Sequence, residues 1–472
     1  MALSSTAARW EGAIFTVLCA ALVWAPLPFA SARPWATALL FLPLAAAAGA
    51  WLALAAAGKA ALPVRVWRRS ALPLLLLTAV CGWVFAQTLP LPRPLLAWLS
   101  PEAARWHLVD PAPLSLDVAA TRLYLLRALS CLAAFFLVVA TVRGEGRARV
   151  LLGLVVASGL FQAVYGTTMV LSGLEWGFFV EKYVGRGSAT GTFVNPNHLA
   201  GYLVLALAAG TGLLVAELGG PTAATWRQRL ANLVRLALSA KTLLRGSLAL
   251  MVIALVLSRS RMGNLAFFAA LGTAAAAALV ARRRFSPRLV LLVASILVVD
   301  LWIVGEWFGF DRVVERLRQT QPAAEARLAV SSETTRILRD FALTGAGGGA
   351  FAAVFPRYQG ADLAEHFDHA HNDYLEFAVD LGLPATLALG GVGLLALRRA
   401  WLLLGADHSR FQRGVGFALV MAFTWAALHS AVDFNLQIPA NAVTFAALLG
   451  LAFADLLPRE RSGGRMLAKS QS

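Results

Sequence analysis

The chain is poor in charge and in cysteine. Only 14% of its 472 residues are charged and 59% are hydrophobic, whereas about a quarter of a soluble protein is charged. This composition excludes an ordinary soluble domain. The three cysteines, Cys19, Cys81 and Cys131, all fall in apolar stretches. Their spacing suits neither a metal site nor a disulfide framework, so they are interpreted as buried thiols.

Apolar stretches of nearly membrane-spanning length recur along the chain. A helix of about 20 apolar residues crosses a bilayer. About twelve such stretches are present, at 13–31, 36–57, 71–89, 123–142, 149–172, 198–217, 243–258, 262–281, 289–305, 373–397, 413–430 and 437–457. The first could also be a cleaved signal peptide, but a retained span fits the charge pattern better. The sequence therefore predicts an all-α integral membrane protein in which residues 1–472 form one domain.

Acidic residues are scarce, and the net charge is +16. In a soluble protein this excess would suggest nucleic-acid binding. Here most basic residues lie in alternate connections between spans, which is the bias of loops that stay inside the cell. We therefore expect no nucleic-acid partner, both termini in the cytoplasm and a short cytoplasmic tail at 458–472.

One connection is long and polar. Residues 306–372 contain no membrane-length apolar stretch and are predicted to be a large extracytoplasmic loop with short helices. A helix is expected to begin near Ser332 and to end at the glycine cluster 345–349. That cluster lacks the lysine and the preceding strand of a nucleotide-binding loop.

The loop ends on His369 and His371, which allow three interpretations. Two histidines could ligate a metal, but no third ligand stands at a recognised spacing, so we expect none. They could also be hydrated residues beside the Asn372 cap of the next helix. The third interpretation is catalytic, since an imidazole can take a proton from an attacking hydroxyl.

Arginines on the same predicted face suit an anionic ligand. The rigid guanidinium fork matches phosphate, although arginines at span ends also snorkel to the headgroups, and Asn195 and Asn197 suit a turn and helix cap equally well. The candidates are Arg186, Arg259, Arg261, Arg336 and Arg339. Asp433 and Gln437, in a late polar stretch, could line a substrate groove, because polar groups are costly at that depth.

Four stretches in this order carry a resemblance to a known family. They are Arg186 with 191–197 (GTFVNPN), 260–263 (SRMG), 344–347 (TGAG) with Phe351, and 371–376 (HNDYLE) with Gly382. In these motifs the chain resembles the O-antigen ligase/O-antigen polymerase superfamily of membrane glycosyltransferases, which includes WaaL and Wzy, over about residues 120–455.

The resemblance implies a GT-C-like fold of about twelve spans in the bacterial inner membrane, with a periplasmic active site. It also implies an undecaprenyl diphosphate-linked glycan donor and an inverting transfer that needs no metal and no cofactor. Arg186 and Arg261 would bind the diphosphate, and His371 would be the base. Substrate contacts would come from the remaining candidates, Arg259, Arg336, Arg339, Asn195, Asn197, His369 and Asn372.

The acceptor stays open between lipid A-core, a growing glycan and a protein hydroxyl. Function as a ligase is favoured, with a polymerase or a protein O-oligosaccharyltransferase as the alternative. A twelve-span secondary transporter is a remote alternative, since such proteins usually carry ionisable residues near the midplane of repeated, broken helices.

Overall fold

The structure is a computed structural model that describes residues 5–177, 180–182, 184–218, 240–282, 286–287, 289–296, 298, 321–360 and 366–457. These residues are mostly helical, with one short antiparallel hairpin of β1 (Trp176–Gly177) and β2 (Val180–Glu181). The α-helices are α1 Ser5–Trp24, α2 Pro34–Ala56, α3 Val64–Ala86, α4 Arg93–Leu99, α5 Pro101–Trp106, α6 Val118–Thr141, α7 Glu145–Ser172, α8 Pro196–Ala216, α9 Ala240–Leu257, α10 Arg261–Arg282, α11 Gln321–Phe341, α12 Phe351–Val354, α13 Asp373–Leu381, α14 Leu383–Leu403, α15 Arg410–His429 and α16 Pro439–Leu451.

Eight of the described helices are long and apolar enough to cross a membrane, namely α2, α3, α6, α7, α8, α10, α14 and α15. They confirm the predicted all-α membrane class. Helices α1 and α9 occupy the positions of the first and seventh predicted spans. Of the span predicted at 289–305, residues 289–296 are helical and most of the rest lies outside the described residues.

The span predicted at 373–397 is two helices. The chain breaks at Gly382, where φ is +78°, and Pro384 stands in the first turn of α14. Proline suits that position because its missing N–H has no partner there in any helix. A hydropathy pattern does not reveal this break, since the flanking residues are apolar on both sides. The last predicted span, 437–457, is longer than the helix found there, since α16 covers only Pro439–Leu451.

Hydrogen bonds from the glycine cluster stabilise the break between α13 and α14. The N–H groups of Ala346 and Gly347 donate to the carbonyls of Val379 and Asp380 at 2.7 and 3.1 Å. Gly345 has φ +70°, and any Cβ there would collide with the Asp380 carbonyl. The cluster does follow a helix, as expected, but α11 begins at Gln321 rather than near Ser332.

Gln87, at the end of α3, adds side-chain hydrogen bonds at the same break. Its buried side chain donates to the carbonyls of Thr344 and Asp380 at 2.8 and 2.9 Å and accepts from the Gly348 N–H at 3.1 Å. Every hydrogen-bonding group of the amide is thereby paired in the protein interior.

Helix α8 is the centre of the bundle, packing against α7, α9, α10, α15 and α16. In its most apolar window 94% of the residues are buried, against 22% in α2 and α14. Apolar residues left exposed on α2 and α14 suit contact with lipid, whereas α8 is rich in alanine and glycine, which let helices approach closely. The N-terminal turn of α8 is therefore held in place by the packing of the helix it belongs to.

A second hydrophobic cluster lies outside the main bundle core. Leu96 and Leu114 from the α4–α6 connection pack with Ile337, Phe341 and Phe351 from the 321–372 region. The sequence analysis did not predict α4 or α5. Residues 321–360 and 366–372 of the predicted loop thus share a core with an earlier connection, and the placement of 306–372 outside the membrane stays a prediction.

Candidate active site

Three histidine rings surround Phe434. The ring centroids of His198, His369 and His371 lie 4.6, 3.9 and 5.0 Å from that of Phe434. His198 comes from the first turn of α8, the other two from the segment before α13, and Phe434 from the turn after α15. The fold thus joins three distant parts of the sequence at one point.

Asp433 lies between two of these histidines. Its Oδ1 is 3.8 Å from both His198 Nε2 and His371 Nδ1, distances that suit charge contacts rather than hydrogen bonds. Burial acts to raise the pKa of Asp433, but the two histidines outweigh burial and hold this pKa well below its usual range. Asp433 is therefore a buried anion that can stabilise positive charge on His371.

His369 is engaged differently. Its Nδ1 lies 2.6 Å from Oε1 of the buried Glu376, whose Oε2 accepts from the Ala370 N–H at 2.9 Å. Burial acts to lower the pKa of His369, but the neighbouring Glu376 carboxylate outweighs it and raises this pKa. His369 thus holds its proton more firmly than an ordinary histidine.

The His369–Glu376 pair predicts a pH-dependent stability. Since folding raises the pKa of His369, the contribution of the pair is complete below the ordinary histidine pKa of about 6.5 and is lost as pH rises through the raised value. In thermal unfolding measured in detergent over a pH series, the wild-type unfolding temperature should fall above that pH, and that of Glu376→Gln should fall less. Glu333→Gln is the control, because Glu333 pairs with Arg336 and not with a histidine. Equal slopes in all three proteins would contradict the prediction.

Buried carboxyls attach α13 to its surroundings. Asp373, Glu376 and Asp380 share one face of the helix and are all buried. Asp373 Oδ2 accepts from Ser430 Oγ at 2.8 Å and from the Leu436 N–H at 3.1 Å. Burial raises the pKa of Asp373 and Asp380 well above the usual range. These contacts place His371 beside the turn that carries Asp433.

Arg186 lies in a loop organised by Glu175. Oε1 of Glu175 accepts from the Gly187 N–H at 2.6 Å, and its Oε2 pairs with the buried Lys182 at 2.9 Å. Burial acts to raise the pKa of Glu175, but the Lys182 and Gly187 contacts outweigh it and lower this pKa. Arg186 donates to the Lys182 carbonyl at 2.8 Å and pairs with Glu181 at 2.6 Å, and its side chain is 61% exposed.

The arginine turn, residues 258–261, lies next to this loop. The Ala189 N–H donates to the Leu257 carbonyl at 2.9 Å, and a Cβ built on Gly187 would be 3.5 Å from Nη1 of Arg259. Arg261 is the first residue of α10, whose Gly263 packs against Ala200 of α8.

The loop also reaches α8, since Gly185 packs against Pro196, the first residue of that helix. The segments that carry Arg186, Arg259 and Arg261 therefore all adjoin the N-terminal turns of α8. His198 belongs to those same turns.

Two of the candidate residues have strained backbones. Arg259 has φ +58° and His371 has φ +49°. This left-handed region costs a non-glycine residue about 1 kcal/mol or more. Such strain is concentrated at functional sites, although the described residues 29–31 also have positive φ.

A comparison with known protein families covers part of this candidate site. A family model described as O-antigen ligase matches residues 246–390. The chain carries an O-antigen ligase domain. No curated protein matches the chain.

This domain extends from α9 into α14. It includes the arginine turn, the glycine cluster and both loop histidines, and it confirms the resemblance to the O-antigen ligase/polymerase superfamily. The match supports a membrane protein related to the ligases and polymerases of that superfamily. Arg186, His198 and Asp433 lie outside the matched residues and are brought to the domain by the fold.

Several candidate polar residues have structural contacts. Asn195 caps α8, its Oδ1 accepting from the Asn197 N–H at 2.8 Å. Asn372 caps α13 by accepting from the Leu375 N–H at 3.1 Å. Capping was one of the two interpretations of these asparagines, and a contact to substrate stays a prediction.

The two loop arginines lie on the exposed face of α11. Arg336 pairs with Glu333 at 2.7 Å, and Arg339 is also exposed. The buried face of α11 includes Ile337 and Phe341. Among the described residues, no hydrogen bond or ion pair joins either arginine to the histidines, so their role in binding substrate stays a prediction.

A large apolar cavity adjoins α13. Its volume is about 480 Å³, and it lies among α3, α6, α13, α14, α15 and α16. Asp373, Ser430 and Gln437 line it near the Asp433 turn, and Arg127 lines it from α6. Gln437, an expected groove residue, thus lines a mainly apolar cavity.

Sequence reasoning missed His198 as a member of the site. It follows Asn195-Pro-Asn197 at the start of an apolar span, and that position could have marked it, since a histidine at a span end faces the aqueous boundary. Among the described residues, no group of three or more His, Cys, Asp or Glu side chains is arranged to hold a metal ion.

Proposed function

We propose that the protein transfers a glycan from undecaprenyl diphosphate to an acceptor hydroxyl on the periplasmic side of the inner membrane, as a ligase. The observation that carries this proposal is the proximity of His371 and Asp433 to the α8 turns that the arginine segments adjoin. The O-antigen ligase domain supports the reaction class.

His371 acts as the general base. Its Nδ1 faces the Asp433 carboxylate at 3.8 Å, which stabilises the imidazolium formed when the ring takes the acceptor proton. His369 suits this role less, because its contact with Glu376 favours the protonated ring. His369 is instead held beside the site by its contact with Glu376.

The transfer is a single displacement. The acceptor oxygen attacks the anomeric carbon as its proton passes to His371, and the bond from that carbon to the diphosphate oxygen breaks with inversion. The diphosphate leaves with the electron pair and is stabilised by Arg186, Arg261 and Arg259. These charges require neither a metal nor a cofactor.

The apolar cavity beside α13 supports a lipid-linked substrate. Its lining is mostly aliphatic and aromatic, and a prenyl or acyl chain placed there would hold a headgroup near Asp373 and Ser430. Arg127 places one positive charge in this lining.

Reconstitution into liposomes tests the proposal. With an undecaprenyl diphosphate-linked glycan and lipid A-core, we expect capped lipid A-core, with chelators of divalent metals having no effect. An elongated lipid-linked glycan would instead indicate a polymerase, and a modified protein hydroxyl would indicate a protein O-oligosaccharyltransferase. Folded protein that transfers glycan to none of these acceptors, but moves a solute across the liposome, would overturn the proposal in favour of a transporter.

A further inference from the structure

A second cavity lies at the opposite end of the bundle from the histidines. Helix α15 runs from Arg410 near this cavity to His429 near the histidines, and its 20 residues span about 30 Å. Helix α14 likewise runs from the break at Gly382 to the cavity-lining Leu403. The arginine distribution predicts that this end faces the cytoplasm.

The cavity, of about 220 Å³, has a polar side and an apolar side. Arg69 of α3 and Arg399 of α14 line it together with Asp407, His408 and Gln412. The apolar side consists of Leu403 and residues 452, 454, 456 and 457. Two guanidiniums from different helices therefore meet over a hydrophobic wall.

The two arginines lack an acidic partner within the described part of the chain. Arg399 Nε donates to the Ala452 carbonyl at 3.4 Å, and none of the ion pairs found there includes Arg69 or Arg399. By contrast, the nearby Arg65 pairs with Asp455 at 2.6 Å. Asp407, the one acid that lines the cavity, forms an ion pair with neither arginine.

His408 is sensitive to this excess of positive charge. Burial lowers the pKa of His408, and Arg399, Arg413 and Arg69 lower it further, while Asp407 opposes them. The arginines thus outweigh the single acid that lines the cavity. An anion that entered would meet two guanidiniums, which bind phosphate oxygens bidentately.

We propose that this cavity, which we call the arginine pocket, binds the phosphate group of an anionic phospholipid of the adjacent leaflet. Leu403 ends α14, and Leu456 and Leu457 follow α16. These leucines suit the glycerol and upper chain carbons, while Arg69 and Arg399 hold the phosphate. Free phosphate offers the same chemistry without the apolar contact. This site lies at the other end of the bundle from the transfer site and does not depend on the proposed reaction.

Native mass spectrometry on protein from mixed phosphatidylglycerol and phosphatidylcholine nanodiscs tests the proposal. We expect wild type to retain phosphatidylglycerol and Arg69→Gln/Arg399→Gln to retain about tenfold less. The matched control is Arg68→Gln/Arg398→Gln, which removes two adjacent, exposed arginines from the same helices and should retain wild-type levels. Arg69→Lys/Arg399→Lys keeps the charge, and should retain an intermediate amount.

Inorganic phosphate distinguishes the source of the ligand. If millimolar phosphate raises the unfolding temperature of wild type but not of Arg69→Gln/Arg399→Gln, and no lipid preference is found, the pocket binds free phosphate and the lipid assignment is overturned. Equal loss of phosphatidylglycerol in both glutamine pairs would show a general surface-charge effect and overturn the site. Should the Arg69→Gln/Arg399→Gln protein not fold, Arg399→Gln alone against Arg398→Gln gives the same comparison.

Discussion

Replacing His371 with glycine is expected to abolish glycan transfer while the protein still folds. The loss should be about 10²- to 10⁴-fold, the usual contribution of a general base. Glycine adopts the left-handed region readily, so the φ of +49° at this position costs glycine less than histidine. The measurement is the transfer rate in liposomes beside thermal unfolding of the same preparation.

Two further variants separate catalysis from folding. His371→Ala should lose the same activity but unfold at a lower temperature than His371→Gly, because alanine keeps the strained φ. His369→Gln should retain more transfer than either, since that ring is held by Glu376. Transfer that survives in His371→Gly, or is lost only in His369→Gln, would move the base to His369.

Much of the bundle could be predicted from the sequence, because a membrane helix must satisfy its backbone internally and face lipid with apolar residues. Helices such as α2, α6 and α7 therefore appear as long, mainly apolar stretches. The arginine distribution predicts that residues 186, 261 and 371 share one face of the membrane. The fold brings the segments that carry Arg186 and Arg261 to the N-terminal turns of α8, beside His198, and the side of the membrane stays a prediction.

What the sequence could not predict depends on contacts between distant residues. The break at Gly382 is stabilised by backbone hydrogen bonds with residues 342, 346 and 347 and by the Gln87 side chain, and hydropathy contains no information on such pairing. His198 joins the site only because α8 packs beside the turn that carries Asp433. The short helices α4 and α5 were missed because their apolar residues are few and pack against α11, far along the chain.

The largest effect expected among the arginines is that of Arg259→Gly. Removing one charged donor from a site that stabilises a leaving group typically costs about 10²- to 10³-fold in rate. Arg259 holds its guanidinium beside Gly187 while its own backbone is at φ +58°. Because glycine adopts this φ more readily than arginine, Arg259→Gly should unfold at the same or a higher temperature while transfer falls.

Variants of Arg261 and Arg259 show whether both arginines of the turn bind the diphosphate. Arg261 is the first residue of α10 and is not among the residues with positive φ, so Arg261→Gln should lower transfer with no gain in stability. Arg259→Lys retains the charge but loses the bidentate fork and should fall between wild type and Arg259→Gly in rate. Both arginines contribute to diphosphate binding if each variant raises KM for the lipid-linked donor. Wild-type transfer by Arg259→Gly would leave Arg261 as the cation of this turn that acts on the diphosphate, and the strain at Arg259 would then belong to the fold of the turn.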